Sequence, residues 1–279
     1  MSKPTTLRLS TGQLLPDLRI IPGAEIFLHE DSDPVRVSRL VARLQEDGVL
    51  SNPPVAAPLR GGGYVVLDGA NRTSALTRLG ISAIPLQIVE YADRAVRLEV
   101  WRHFVAGAPD LLERLSGAGL TLEQVSERDA DRMLAAGGLA SYVVTDGGTV
   151  GIRPGSGPLG ATLARVVDAY RGSARIYRVQ DADRSDLVRE YGTDGAMVVF
   201  PSFTKDDIVA IARAAVKLPT GITRHIISGR ALRLNLPLAA LSTPGDVAEK
   251  NLWLADLIRQ KLLDNRIRYY PEATFLFDE

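Results

Sequence analysis

Apolar and polar positions alternate in a way that divides the first third of the chain into short, well-punctuated elements. Residues 18–28 read as extended chain broken at Pro22 and Gly23, with Ile26, Phe27 and Leu28 as the apolar end. Ser32 or Asp33 then stands as an N-cap, and Pro34 takes the first helical position, where a missing N–H is harmless. Val37, Leu40, Val41 and Leu44 form the stripe of one helix face, and Gly48 closes it. Asn52, Pro53 and Pro54 lead into another extended piece, and Gly61, Gly62 and Gly63 predict a hairpin loop. The apolar run Tyr64, Val65, Val66, Leu67, with two β-branched valines at its centre, suits a buried strand. Asp68 and Gly69 break that strand where a carboxylate or hydroxyl can cap the next helix. Ala75, Leu76 and Leu79 then recur at helical spacing, Gly80 marks a left-handed helix end, and residues 84–89 read as a second strand.

Further along, the pattern predicts helix over residues 93–105, 110–115 and 121–134. Residues 142–145 and 149–152 flank Asp146 and Gly147, a tight-turn pair, and predict a hairpin. Helix is expected over 162–170, strand over 174–179, helix over 186–191 and a buried strand over 196–200. Thr204 is an N-cap candidate for a helix carrying Ile208, Ile211 and Ala215. Thr243 and Pro244 open the last helix, with Val247, Leu254 and Ile258 inside. Residues 154–160 are either a mobile loop or a plain connector. There is no internal repeat and no low-complexity tract.

Composition narrows the function classes. The 279 residues suit two domains, and 46% apolar content supports a real core. Lys plus Arg equals Asp plus Glu at 33 each, so zero formal charge argues against a strongly basic nucleic-acid binder. Cysteine is absent, which excludes disulfides, thiolate metal sites and cysteine redox chemistry. The start, Met1 to Thr6, carries no apolar signal region, and no apolar run is long enough to span a bilayer. A cytoplasmic protein without membrane contact is the expectation.

The chemistry concentrates in a few places. Free amides at the helix start after Asp68, with Asn71, Arg72, Thr73 and Ser74 in its first turns, form a natural phosphate cradle. The alternative is an ordinary capped helix with Arg72 in solvent. The triple glycine lacks the Gly-Lys-Ser/Thr ending of a Walker loop. Glu30, between an apolar strand and a helix start, is either a first-turn carboxylate favouring the helix dipole or a general base. Arg224, His225 and Arg230 offer donors for a small carboxylate, with Thr220 and Gly221 as the turn before them; alternatively the arginines line a solvated strand edge.

The ordered blocks carry a resemblance. Asp68, Gly69 and Arg72, then Leu79, Gly80, Ile84 and Pro85, look like the N-terminal nucleotide domain of the ParB/sulfiredoxin superfamily. The fuller spelling over residues 67–76 more closely resembles its branch of free L-serine kinases, including those linked to siderophore biosynthesis. Leu28-His29-Glu30, residues 98–103, 200–205, 217–225, 265–270 and 274–279 extend the likeness, which is weakest over 108–195. The resemblance implies an α/β protein: a ParB-like nucleotide-binding domain, residues 1–106, followed by an α+β substrate-closing domain, residues 107–279. It implies phosphoryl transfer from ATP or ADP to the hydroxyl of free L-serine, with Mg²⁺. Glu30 and Asp68 are then the catalytic and metal-facing carboxylates, and Gly69, Ala70, Asn71, Arg72 and Thr73 hold nucleotide. Trp101, His103, Thr223, Arg224, His225 and Arg230 surround the serine. The competing expectation is a ParB-like, nucleotide-switched DNA-binding or regulatory protein; a third is a family member that binds without turnover. Oligomeric state, ATP against ADP, and the pathway served are not legible in the residues.

Overall fold

The computed structural model of this chain describes residues 12–271. The expected block at 274–279 and the start at Met1 to Thr6 lie outside those residues. The described chain divides into two compact units: residues 12–27, 33–96 and 227–271 form the first, and residues 28–32 and 97–226 the second.

The first unit opens with β1 (Asp17–Pro22), a single 3₁₀ turn at Gly23–Glu25 and β2 (Ile26–Leu28). Helix α1 (Pro34–Asp47) is capped as expected: Asp33 accepts from the amides of Val35 and Arg36, and Gly48 ends the helix at φ 67°. Then follow β3 (Val49–Leu50), β4 (Val55–Pro58), β5 (Tyr64–Asp68), α2 (Ala70–Arg78) and β6 (Ala83–Ile88). The triple glycine is the β4–β5 hairpin loop, with Pro58 opposite Tyr64. The resulting sheet has the order β1-β6-β4-β5-β2, with β4 parallel to β6 and antiparallel to β5.

The second unit begins where a helix was expected. Residues 93–105 instead give β7 (Arg97–Val100) and β8 (Arg102–Ala106). The reason is visible in Arg97-Leu98-Glu99-Val100, which alternates with period two, and in the fully buried Phe104 and Val105 of a central strand. Next come α3 (Leu111–Gly117), β9 (Leu122–Val125) and α4 (Glu127–Ala135). The helix expected from residue 121 therefore starts only at Glu127, behind the Ser126 cap, and the residues before it pair with a neighbouring strand. The predicted hairpin is β10 (Ser141–Thr145) and β11 (Gly148–Ile152). It is followed by α5 (Leu159–Asp168), β12 (Arg175–Val179), α6 (Arg184–Tyr191) and β13 (Gly195–Val199). Thr204 and Asp207 form a reciprocal capping box at the start of α7 (Lys205–Arg213), which ends before Ala215. Last is β14 (Thr223–Ile226), antiparallel to β7. The main sheet runs β12-β8-β13-β10-β11-β9.

The chain then returns to the first unit through β15 (Leu236–Pro237), α8 (Leu238–Ser242) and α9 (Val247–Leu263). The last helix starts three residues after Pro244, with Asp246 at its N-cap. Leu254 of α9 joins Ile20, Leu76, Ile84 and Leu86 in the core of this unit. Asn251 grips β1 at Ile20, accepting from its amide at 2.9 Å and donating to its carbonyl at 2.8 Å. A single border near residue 106 is thus replaced by an interrupted division. β8 is a strand of the second sheet, and residues beyond 226 complete the first core. Among the described residues no helix is long and apolar enough to cross a membrane.

Candidate active site

The expected site residues fall into two clusters, one in each unit. In the first, strand β5 ends at Asp68 and α2 begins after Gly69. Gly69 sits at φ 97°, and a Cβ there would lie 2.9 Å from the Pro54 Cβ and 3.0 Å from Arg72 Nη2. Only glycine fits both the conformation and the space. No side chain caps α2, so its first amides keep their donors for another group. Asp68 is therefore not the expected cap. Its Oδ2 instead accepts from Arg72 Nη2 and from Arg230 Nη2, each at 2.5 Å. Arg72 also donates through Nη1 to the Asn52 carbonyl at 3.1 Å. Burial alone would raise the Asp68 pKa, but the charges and hydrogen bonds of Arg72 and Arg230 outweigh it and hold the carboxyl below its ordinary value. Arg72 is itself pushed down, by burial first; Asp68 opposes that shift and Arg230 adds to it.

Asn71 and Thr73, expected to hold phosphate, have structural bonds of their own. Asn71 Oδ1 accepts the Asp33 amide at 2.8 Å, and Thr73 Oγ1 donates to the Gly69 carbonyl at 3.1 Å. Ala70 can offer only its backbone. Arg230 was expected beside Thr223, Arg224 and His225, but it joins Asp68 and Arg72 instead.

In the second unit, Glu30 is buried at 8% exposure on a short extended segment paired with Leu218. The Leu218 amide donates to the His29 carbonyl at 2.9 Å, and the Asp31 amide to the Leu218 carbonyl at 2.8 Å. The Glu30 carboxylate accepts from the Gly221 amide at 2.9 Å, the Thr223 amide at 2.7 Å and Thr223 Oγ1 at 2.6 Å. The threonine proton is committed to Glu30, so at 2.8 Å His29 Nε2 donates to the same oxygen. The His29 and His225 rings meet edge to face at 5.4 Å. In the sequence His29 stood only within the Leu28-His29-Glu30 block, with no signal marking its bond to a residue 194 positions away.

His103 stands behind this loop. Its Nε2 lies 3.0 Å from the Gly221 carbonyl, which only accepts, so Nε2 carries the proton and Nδ1 accepts from Tyr170 Oη at 2.8 Å. Burial pushes its pKa down to about 4, in keeping with a neutral ring. Both ring nitrogens are thus engaged, one by Tyr170 and one by the Gly221 carbonyl of the loop. Gly221, at φ 85°, has no room for a side chain, because a Cβ would fall 2.1 Å from Arg178 Nη2. Trp101 lies between β7 and β8, not on a helix, and its amide donates to the Ile222 carbonyl at 2.8 Å. The Arg224 guanidinium stacks over its ring at 4.5 Å and lies 3.8 Å from Glu99.

Among the described residues, no group of three or more His, Asp or Glu side chains is arranged to hold a metal ion. The donor chemistry still suits Mg²⁺, which keeps most of its waters and needs one carboxylate beside phosphate oxygens. Asp68 fits that role better than Glu30, whose two oxygens already receive loop donors.

No protein-family model matches the chain. A curated relative, the ATP-dependent L-serine kinase SbnI of Staphylococcus aureus, is 25% identical over 267 residues, 94% of this chain and 97% of the relative. Over nearly its whole length the chain is similar to the free L-serine kinases. A second relative, the ADP-dependent L-serine kinase SerK of Thermococcus kodakarensis, is 21% identical over 219 residues, covering 76% of this chain and 88% of SerK. The solved structure of a free serine kinase in complex with AMP shares the fold, with a TM-score of 0.72 at 17% identity over 86% of this chain and 98% of that one.

Proposed function

We propose that this protein transfers the terminal phosphoryl group of ATP or ADP to the hydroxyl of free L-serine, giving O-phospho-L-serine. The observation that carries the reading is the buried Glu30 carboxylate, fixed by Gly221 and Thr223 in a chain that matches a named L-serine kinase over nearly its whole length. An ionised carboxylate has about four acceptor sites. The loop and Thr223 use three of them, which leaves Oε2 one for the serine hydroxyl. Glu30 takes that proton as the serine oxygen attacks phosphorus. A bond from serine oxygen to phosphorus forms, the bridging bond to the nucleotide breaks, and the shortened nucleotide leaves with the electron pair.

The chain's other residues act by position and charge. Arg72 and the open amides of Gly69, Ala70 and Asn71 hold phosphate oxygens, the guanidinium matching them in bidentate fashion. Mg²⁺, held by Asp68 and the phosphates, would supply charge neutralisation on the transferred group. Thr223, His225 and the Trp101-braced Arg224 recognise the zwitterionic serine, and His103 fixes their loop through Gly221. We place the reaction in the cytoplasm, where nucleotide donors are made, and its product in amino-acid metabolism, siderophore biosynthesis included. The DNA-binding alternative gains no support from the named relatives. The test is a donor panel: ATP, ADP and pyrophosphate, each with free serine and Mg²⁺, with O-phosphoserine read by mass. Product from ATP or ADP supports the reading; none from any donor, with the protein folded, overturns it.

A further inference from the structure

Arg230 has a placement that its sequence neighbours do not suggest. It follows the serine-loop strand by only a few residues, yet its guanidinium meets Asp68 Oδ2, the same oxygen that Arg72 grips. Two full positive charges thus converge on one carboxylate, leaving one positive charge uncompensated at the start of α2. Arg230 Nε is buried and has no hydrogen-bond partner among the described residues. A buried N–H without an acceptor is costly unless something else supplies one. The backbone around Arg230 is also held on both sides. Gln87, only 3% exposed, donates from Nε2 to the Gly229 carbonyl at 3.0 Å and accepts the Ala231 amide on Oε1 at 2.8 Å. A buried glutamine on β6 therefore fixes the residues before and after Arg230. Such bracing suits a side chain whose position matters.

We propose that Arg230 is a nucleotide-phosphate ligand, the second arm of an arginine pair with Arg72, positioned by Gln87, and not a ligand of the serine carboxylate. The inference deepens the kinase reading and rests on it for the identity of the phosphate as that of a donor nucleotide. In the structure described, Asp68 occupies the two arms. A polyphosphate chain brings the acceptor that Nε lacks and the negative charge that the pair lacks. Because the arms converge from different elements, the site favours a ligand with two or more linked phosphates over a single one.

The experiment is calorimetric titration of ADP and of AMP into wild type, Arg230→Gln and Arg230→Lys, paired with steady-state serine and donor kinetics. Each protein is first checked by thermal melting. Arg230→Gln is expected to weaken ADP by about ten- to a hundredfold, the equilibrium value of one lost charge-assisted bond. AMP should weaken less, Arg230→Lys should recover only part of the loss, and the serine KM should stay within about twofold of wild type. Should Arg230→Gln fail to fold, the Lys variant carries the same test, because its single ammonium cannot reproduce the planar two-pronged geometry. Unchanged ADP affinity with a raised serine KM overturns the proposal and returns Arg230 to the acceptor. Unchanged values for both ligands overturn it as well. Titration needs no turnover, so a wild type that binds ADP through Arg230 but makes no phosphoserine would sink the kinase reading and uphold this one.

Discussion

Replacing Glu30 with glutamine separates two duties that the structure gives to one side chain. As a brace, Glu30 accepts from two loop amides and from Thr223 Oγ1. The glutamine oxygen can keep the Thr223 bonds, but its NH₂ then faces the Gly221 amide, donor against donor, at a site now spanned by 2.9 Å. One buried donor is orphaned, at a cost of about 1–3 kcal/mol. At roughly 2–4 °C per kcal/mol, the melting temperature should fall by several degrees without loss of folding. As a base, Glu30 loses its charge altogether, and phosphoserine formation should fall by about a hundred- to ten-thousand-fold. The assay is single-turnover phosphoserine production at saturating serine, nucleotide and Mg²⁺, beside calorimetric nucleotide affinity and a thermal melt. Glu30→Ala orphans both amides and should melt lower still, yet its turnover should be no worse than that of Glu30→Gln if proton acceptance dominates. A glutamine variant with lowered melting temperature and wild-type turnover would refute the base assignment and leave Glu30 a loop brace only.

Three further outcomes follow from the same geometry. Arg72→Lys should weaken nucleotide binding despite the retained charge, because an ammonium cannot donate to Asn52 and a phosphate as a planar fork does; unchanged affinity in calorimetry would remove Arg72 from the phosphate site. Thr223→Ala and His225→Ala should raise the serine KM with donor affinity near wild type, and alanine should compete poorly with serine; loss of nucleotide binding with normal serine affinity would mean the loop serves the other ligand. His103 is held by burial at a pKa of about 4 against an ordinary 6.5, so the unfolded chain takes up its proton first as pH falls. Its contribution is complete above about pH 6.5 and declines toward pH 4, with about 3 kcal/mol at stake. Thermal melts between pH 7.5 and 4.5 should show that decline, and His103→Gln should flatten it; equal slopes in both proteins would refute the assignment.

The first unit was largely legible because its signals are local. The Asp33–Pro34 cap, the α1 stripe, the triple-glycine hairpin and the break at Asp68–Gly69 each act within a few residues. What escaped was long-range. The β7–β8 strands were read as a helix because a short apolar run satisfies either period until its pairing partners are known. The return of α9 to β1 depends on Asn251 and Ile20, which lie 231 positions apart. At the candidate site, Glu30, Asp68 and Arg72 were named through family resemblance, whereas their partners in the fold were not. The sequence places Arg230 nearest to Arg224 and His225, and only the fold delivers it to Asp68. His103 was named as a substrate residue, although its neutral ring bonds Tyr170 and Gly221.

The most direct measurement is the fate of a heavy oxygen. Free serine labelled with ¹⁸O in its hydroxyl is incubated with the protein, ATP or ADP, and Mg²⁺, and the products are read by mass. Attack by the serine hydroxyl on phosphorus predicts O-phosphoserine that retains the label, formed mole for mole with the shortened nucleotide. Nucleotide consumed to unlabelled inorganic phosphate, with no phosphoserine from either donor, would contradict the assignment of this protein as a free serine kinase.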